Sequence, residues 1–289
     1  MRSFTLSWRD RQLRLGPKST IMGIVNVTPD SFSDGGLFHS ADAAIAQAER
    51  LAEAGADIID IGGESTRPFA DSVSAEEEIE RVVPVIKELA ARISIPISID
   101  TCKSQVAKAA IKAGASIIND ISAMQMDPRM AHTAADLNVP IILMHMKGTP
   151  RTMQLDPVYE DVVVEVKNFL AEAVERAVAA GIDRKKIIVD PGIGFGKTGR
   201  HNLILINRLS EFEELEAPIL VGPSRKRFIR DLLKDPSQED ISPDRPEVET
   251  GTQAAVAASI LNGAHIIRVH NVMNTVAMVK VLDAIRNVK

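Results

Sequence analysis

Residues Lys186–Lys197 read KIIVDPGIGFGK. Ile187, Ile188 and Val189 form a short run of the β-branched kind that favours a buried strand. Asp190 ends the run, the chain turns at Pro191 and Gly192, and glycines recur at 192, 194 and 196 around Phe195. A carboxylate at the carboxyl end of a buried strand, beneath a glycine-rich loop, is where α/β proteins place their chemistry. The pattern PGIGFGKT at 191–198 is not a P-loop, because Pro191 stands where the first glycine is required, and the glycines do not fit GxGxxG.

The same grammar recurs along the chain. EAGADIIDIGG at 53–63, KAGASIINDIS at 112–122 and LNGAHIIRVHN at 261–271 each end a helix on glycine, enter a strand and leave it on polar residues. Strands are expected at Thr20–Val27, Asp57–Ile61, Pro96–Asp100, Ser116–Asp120, Pro140–His145, Lys186–Asp190, Pro218–Gly222 and His265–His270. Between them fall helical stretches at Ala41–Ala54, Ala75–Arg92, Lys103–Ala113, Val158–Ala180, Arg225–Leu233, Glu249–Leu261 and Met273–Arg286. Ser40 is the expected cap of the first, and Pro84 is expected to kink or break the second. Residues 3–15 alternate around Arg9 and Asp10 as a small β-hairpin.

Eight apolar strands alternating with helices imply a parallel sheet covered on both faces. Closing at eight gives an α/β (β/α)8 TIM barrel; an open doubly wound sheet is the alternative. The expected organisation is one domain over residues 1–289, with the hairpin in 1–18 and the barrel in 19–289.

Composition narrows the function. With 289 residues, 45% hydrophobic and 25% charged, the chain suits a globular domain with an aliphatic core, since aromatics are only 3%. A net charge of −5 argues against a general nucleic-acid binder. No apolar run approaches the length of a membrane span. Cys102 is the single cysteine, so no internal disulfide forms, and a cytoplasmic location is expected. No HExxH or Cys/His cluster points to a protein-held zinc.

The strand ends carry Asn26, Gly62–Glu64, Asp100, Asn119, Asp120, His145, Asp190, Gly222, Arg268 and His270. In a barrel these meet at one rim, and several acids facing one mouth imply a hydrogen-bonding ligand, since a buried unpaired carboxylate is costly. Asp100 and Asp190 are acceptors, Asn119 is both donor and acceptor, and Lys226 is a donor. That set suits a planar heterocycle with adjacent N–H and C=O groups, such as a guanine-like or pterin edge. Arg67, Arg268 and His270 read instead as an anion site. Glu76–Glu78 reads as an exposed helix face, and Cys102 as an inert buried thiol.

The chain resembles the bacterial dihydropteroate synthases from Ile21 to about Val272. The blocks that carry the likeness are MGIVNVTPDSFSDGG at 22–36, DIGGESTRP at 60–68, SIDTCK at 98–103, IINDIS at 117–122, MHMKGTPRTMQ at 144–154, DPGIGFGKT at 190–198, PSRK at 223–226 and IRVHNV at 267–272. The resemblance implies an enzyme of folate biosynthesis and a sulfonamide target, which joins (7,8-dihydropterin-6-yl)methyl diphosphate to 4-aminobenzoate and releases pyrophosphate. It implies that Asp100, Asn119, Asp190 and Lys226 hold the pterin, with Met144 against the ring. Asn26, Thr66, Arg67, Arg268 and His270 would hold the pyrophosphate, and Asn26 would also ligate Mg2+. Phe195 and the turn from Ser224 to Arg227 would flank 4-aminobenzoate. A homodimer is also implied.

Loss of diphosphate leaves a pterin-stabilised cation, so the reaction implied demands charge stabilisation more than proton transfer. Asp34, Arg67 and Lys226 are the expected catalytic groups, with Asp34 favouring the cation, and closure of the long first and second loops would exclude water. Asn271, where the family often has Asp, and Pro223 depart from the pattern. Two other readings share the pterin contacts. A methyltetrahydrofolate methyltransferase needs no diphosphate site, and a non-catalytic pterin-binding paralogue should have lost Asp34, Thr66 and Arg67, which are present here.

Overall fold

The computed structural model describes residues 2–9, 11–27, 36–65, 72–153 and 157–288, with the backbone alone for 36–40. Strands β1 (Phe4–Trp8) and β2 (Arg11–Leu15) pair antiparallel, Trp8 opposite Arg11, as the alternating stretch predicts. The main sheet comprises β3 (Thr20–Asn26), β4 (Ile58–Gly62), β5 (Ile97–Asp100), β6 (Ile117–Asp120), β7 (Ile141–Met144), β8 (Ile187–Asp190), β9 (Leu220–Val221) and β10 (Ile266–Val269). All its pairings are parallel, in the order β8-β7-β6-β5-β4-β3-β10-β9. The two ends meet through a parallel bridge between Val189 and Ile219, with the Val189 N–H donating to the Pro218 carbonyl at 2.9 Å. The sheet is therefore a closed (β/α)8 barrel rather than an open wound sheet.

Around it lie α1 (Gly36–Glu53), α2 (Ala75–Arg92), α3 (Ser104–Ala113), α4 (Met130–Leu137), α5 (Val162–Ala179), α6 (Gly199–Asn207), α7 (Arg227–Leu233), α8 (Pro246–Leu261) and α9 (Val272–Asn287). Among the described residues no helix is long and apolar enough to cross a membrane. Three helical expectations change. The first helix already begins at Gly36, so Ser40 lies within it rather than capping it, because an established helix extends over neighbours that do not break it. Of the two outcomes expected at Pro84, the break does not occur, since helix α2 runs through it; Pro84 is exposed, so the carbonyl it leaves unbonded faces water. Helices α4 and α6 were not expected. Thr198 caps α6 in a reciprocal pair with His201, which a search for Ser/Thr followed by Glu/Gln does not find.

Strand alternation sorts the side chains into layers. Ile59, Ile61, Ile99, Ile118, Leu143, Val189, Val221 and Val269 face outward to the helices in the large core. Met22, Ile58, Ile117, Ile142, Ile188, Leu220 and Ile266 face inward and form an apolar floor with Leu6, Trp8 and Leu15 of the hairpin. The hairpin thus plugs the amino-terminal end of the barrel. One step further along each strand, the inward positions become Asp60, Asp100, Asn119, Met144, Asp190 and Arg268.

Leu6 is fully buried in that plug, so Leu6→Ala should cost roughly 2–5 kcal/mol. Trp8, the chain's single tryptophan, is 2% exposed in the same cluster, and its fluorescence in a urea titration reads the change. An unshifted midpoint would mean the hairpin is not part of the cooperative core.

Candidate active site

Arg268 lies at the centre of the polar inner layer. Its Nε donates to Asp60 Oδ2 at 2.6 Å and its Nη2 to Asp100 Oδ2 at 2.8 Å. Asp60 is fully buried and also accepts from Asn119 Nδ2 at 3.0 Å. One guanidinium therefore serves two carboxylates within a closed barrel. Asp60 Oδ1 and Asp100 Oδ1 are buried and have no partner among the described atoms. Burial pushes the Asp100 carboxyl upward against the pull of Arg268, and the neighbouring charge of Asp60 adds to the rise.

These contacts assign the Asn119 amide. Because one hydrogen of its nitrogen goes to Asp60, its oxygen and a second N–H remain for a ligand. Asp190 Oδ1 accepts from the Gly192 N–H at 2.7 Å, and burial pushes the carboxyl up to about 6 against the charges of Lys226 and Lys197. The mouth of the barrel thus offers acceptors on Asp100, Asn119 and Asp190. A ligand edge rich in N–H groups complements them, and Lys226 supplies a donor for a carbonyl. Burial lowers Lys226 to about 8, with Arg268 pushing the same way.

The adjoining wall is apolar. Met144, Met146, Met153, Ile121 and Phe195 cluster there, with Cys102 against them. Lys226 Nζ sits 4.0 Å from the Phe195 ring centroid, a cation–π contact that ties the donor to the wall. The glycines of 192–196 permit this. Gly192 has φ +69°, and a Cβ there would lie 1.9 Å from the His145 carbonyl oxygen; at Gly194 it would lie 2.9 Å from the Lys226 stem.

At the rim, Ser224 Oγ is 2.9 Å from His270 Nδ1 and also accepts the His270 N–H at 3.3 Å. Arg225, at φ +58°, donates its backbone N–H to Thr252 Oγ1 at 3.1 Å, which fixes the turn that presents Lys226. Asn26 pairs in register with Gly62 at the same rim. Asn271 caps α9 by accepting the Asn274 N–H at 3.1 Å, so this departure from the family pattern has a local structural use. Pro223 closes the turn through the Lys226 N–H at 3.2 Å.

The structure brings together Asn26, Asp100, Asn119, Met144, Asp190, Phe195, Ser224, Lys226, Arg268 and His270. Asp34, Thr66 and Arg67 lie outside the described residues. Several expectations change. Asp120 stands on the outward side of β6, where it accepts from the backbones of Ser122 and Met124 at 2.8 Å each, so it holds a turn. His145 also points outward and stacks edge-on against Phe169 of α5. Arg268 is engaged by two acids, so an anion reaching it would have to share it. Glu78 is fully buried rather than exposed; Lys103 Nζ bridges it at 2.6 Å to Glu64 at 2.7 Å.

Sequence reasoning missed Asp60. It interrupts the run Ile58–Ile61 at an inward position, and that two-residue spacing from Ile58 was the available signal. Cys102 is partly rather than fully buried; loss of solvent and the adjacent Asp120 still raise its thiol well above the usual range, in keeping with an inert group.

Residues 22–270 match the family described as pterin binding enzyme. The chain belongs to the pterin-binding enzyme family. It is 48% identical over 270 residues to the dihydropteroate synthase of Bacillus subtilis, covering 93% of this chain and 90% of that one. The dihydropteroate synthase of Escherichia coli is 46% identical over 269 residues, covering 93% and 92%. Among solved structures, Xanthomonas albilineans dihydropteroate synthase with 4-aminobenzoic acid superposes with a TM-score of 0.90 at 44% identity over the full length of both chains. The Yersinia pestis enzyme in a sulfonamide drug complex matches equally well, with a TM-score of 0.90 at 43% identity over 99% of this chain and all of that one.

In this pterin-binding enzyme Asp60→Asn should weaken pterin affinity by about 1.5–3 kcal/mol, the range for a hydrogen bond to a charged group. The substitution removes the charge that orients both Arg268 and Asn119. Calorimetry on a variant shown to be folded by circular dichroism checks this. Full pterin affinity would leave Asp60 a stability role only.

Proposed function

We propose that the protein catalyses the dihydropteroate synthase reaction, condensing (7,8-dihydropterin-6-yl)methyl diphosphate with 4-aminobenzoate to give 7,8-dihydropteroate and pyrophosphate. The observation that carries this reading is the pairing of an acceptor-rich barrel mouth with an adjacent apolar wall. A dihydropterin presents its amino group and ring N–H groups to Asp100, Asn119 and Asp190, and its carbonyl to Lys226. The apolar wall suits an aryl ring that must approach the methylene carbon. The solved Xanthomonas albilineans relative in complex with 7,8-dihydropteroate, 42% identical with a TM-score of 0.86, supports it.

In the reaction the C–O bond to diphosphate breaks with its electron pair leaving on oxygen. The 4-aminobenzoate nitrogen then bonds to the methylene carbon and loses a proton. Carboxylates that accept hydrogen bonds from ring N–H groups favour positive charge on the pterin, so Asp100 and Asp190 stabilise the ionising state more than the bound substrate. The aniline nitrogen is already nucleophilic, and no strong base is required of the site. Asp34 is proposed to favour the cation further, and Thr66, Arg67 and His270 to receive the diphosphate.

Among the described residues no cluster of three or more His, Cys, Asp or Glu could hold a metal ion by itself. Mg2+ commonly binds through one or two protein oxygens together with substrate phosphates, and the Asn26 side-chain oxygen at the rim fits that lesser share. Asn26 would hold it, and the ion would supply charge neutralisation to the departing diphosphate. A homodimer is proposed as the assembly; exposed apolar side chains at Leu261, Met273, Val281 and Ile285 are in keeping with a second copy. The cytoplasm is the proposed setting, consistent with the unpaired Cys102.

Pyrophosphate release from both substrates and Mg2+ tests the reading directly. Release should require 4-aminobenzoate, and its absence under those conditions would refute the assignment. The same assay across pH should follow three groups of the free enzyme. Below about 7 Asp100, and below about 6 Asp190, become protonated and each loses an acceptor, so kcat/KM for the pterin substrate falls as pH drops. Above about 8 Lys226 loses its charge, so kcat/KM falls again as pH rises. A flat profile from pH 5 to 9 would remove all three from pterin recognition.

A further inference from the structure

Lys197 is the basic side chain of the glycine-rich loop, yet it is only 3% exposed. Its Nζ lies 2.8 Å from His145 Nδ1, 2.9 Å from the Phe195 carbonyl oxygen and 3.4 Å from the His145 carbonyl oxygen. Burial lowers Lys197 to about 7; in its ammonium form, which has three hydrogens and no acceptor, these contacts use its full donor capacity. His145 Nδ1 must then accept, which leaves the imidazole neutral with its proton on Nε2. Burial and the Lys197 charge hold the His145 pKa well below its usual range, in agreement with a neutral ring.

The loop does not need this lysine merely to close. Gly192 is already tied to Asp190 at 2.7 Å, Gly194 donates to Asn202 Oδ1 at 2.7 Å, and Gly196 accepts from the Tyr159 hydroxyl at 2.7 Å. Lys197 adds a link between two different loops. One follows β7 and carries His145 between Met144 and Met146; the other follows β8 and carries Phe195. Met144, Met146 and Phe195 are the side chains that pack together as the apolar wall. A cation buried in this way is costly, and a carbonyl from each loop receives it.

We propose that Lys197 is a positioning residue for the second substrate, clamping the β7 and β8 loops from beneath so that Phe195 and the two methionines hold the 4-aminobenzoate ring. It touches neither substrate and acts through the wall. The inference rests on the dihydropteroate synthase reading. It makes a distinction that reading does not make: of the pterin groups, Asp100 and Asn119 stand on β5 and β6 outside the clamp, while Asp190 at the end of β8 and Met144 at the end of β7 adjoin it.

Steady-state kinetics of Lys197→Met beside the unsubstituted enzyme separates the two ideas. KM for 4-aminobenzoate should rise by about tenfold, as expected for a wall displaced by a fraction of an ångström, while KM for the pterin diphosphate, which keeps Asp100 and Asn119, rises by much less. Lys197→Gln keeps N–H donors without the charge, and should recover part of the loss; it also decides the matter if the methionine variant does not fold. An unchanged 4-aminobenzoate KM in a folded variant would overturn the clamp. So would an equal rise for both substrates, which marks a general loss of structure. If the unsubstituted enzyme releases no pyrophosphate, the reaction itself is wrong and the clamp falls with it.

Discussion

Two carboxylates sharing one guanidinium inside a closed barrel set the terms for the rest of this structure. Asp60 and Asp100 hold Arg268 at 2.6 and 2.8 Å, and burial raises Asp100 to about 7, so near neutral pH the second carboxylate of the trio is only partly ionised. Burying charge is costly unless each group is hydrogen-bonded, and here one oxygen of each acid is left over. An N–H-rich ligand edge resolves that deficit, which is why the cluster reads as a binding surface and not as a structural ion pair. The same arrangement engages the Asn119 amide nitrogen on Asp60 at 3.0 Å, so one buried acid fixes the orientation of its neighbour's amide.

Such a cluster can persist only where water is kept away from below. The inner floor from Met22 to Ile266, sealed by Leu6, Trp8 and Leu15, supplies that barrier. Electrostatic interactions strengthen as the surroundings lose polarity, so the hairpin contributes to recognition although it lies at the far end of the barrel. The layers follow from strand alternation alone. A residue two positions beyond a floor isoleucine faces inward at the level of the site, as Asp190 does beyond Ile188 and Arg268 beyond Ile266.

That alternation also explains what the sequence discloses. Asp100, Asn119, Asp190 and Arg268 are legible because each interrupts or ends an apolar run near its carboxyl end. Asp120 has the same local signature but the opposite facing, and only its use by Ser122 and Met124 shows that it is structural. Asp60 was hidden by position, since the polar residues just after its strand drew the functional reading to Gly62–Glu64. Glu78 looked like part of a charged helix face because Lys103, its partner, lies 25 residues away across two elements. Fold-level features depend on patterns repeated over many residues, whereas pairings of this kind depend on contacts that no local pattern encodes. The eightfold repeat therefore shows the barrel, while bonds between strands determine which polar groups are available to a ligand.

The polar and apolar halves of the mouth serve a reaction in which charge separates. Asp60, Asp100 and Asp190 are set against Arg268 and Lys226, with Lys197 beneath the wall lowered to about 7 by burial, so the site holds both signs at close quarters. A strongly acidic mouth would stabilise the pterin cation but repel the diphosphate; a strongly basic one would do the reverse. Balanced, fixed charges let each sign meet its opposite at a different edge of the substrate without reorganisation when the bond breaks. Burial brings Asp190 to about 6 and Lys226 to about 8, so both remain charged near neutral pH. The methionine and phenylalanine wall adjoins these charges, with Lys226 4.0 Å from the Phe195 ring and Met144 in register with Asp190, so an apolar surface for an aryl ring borders the polar groups directly.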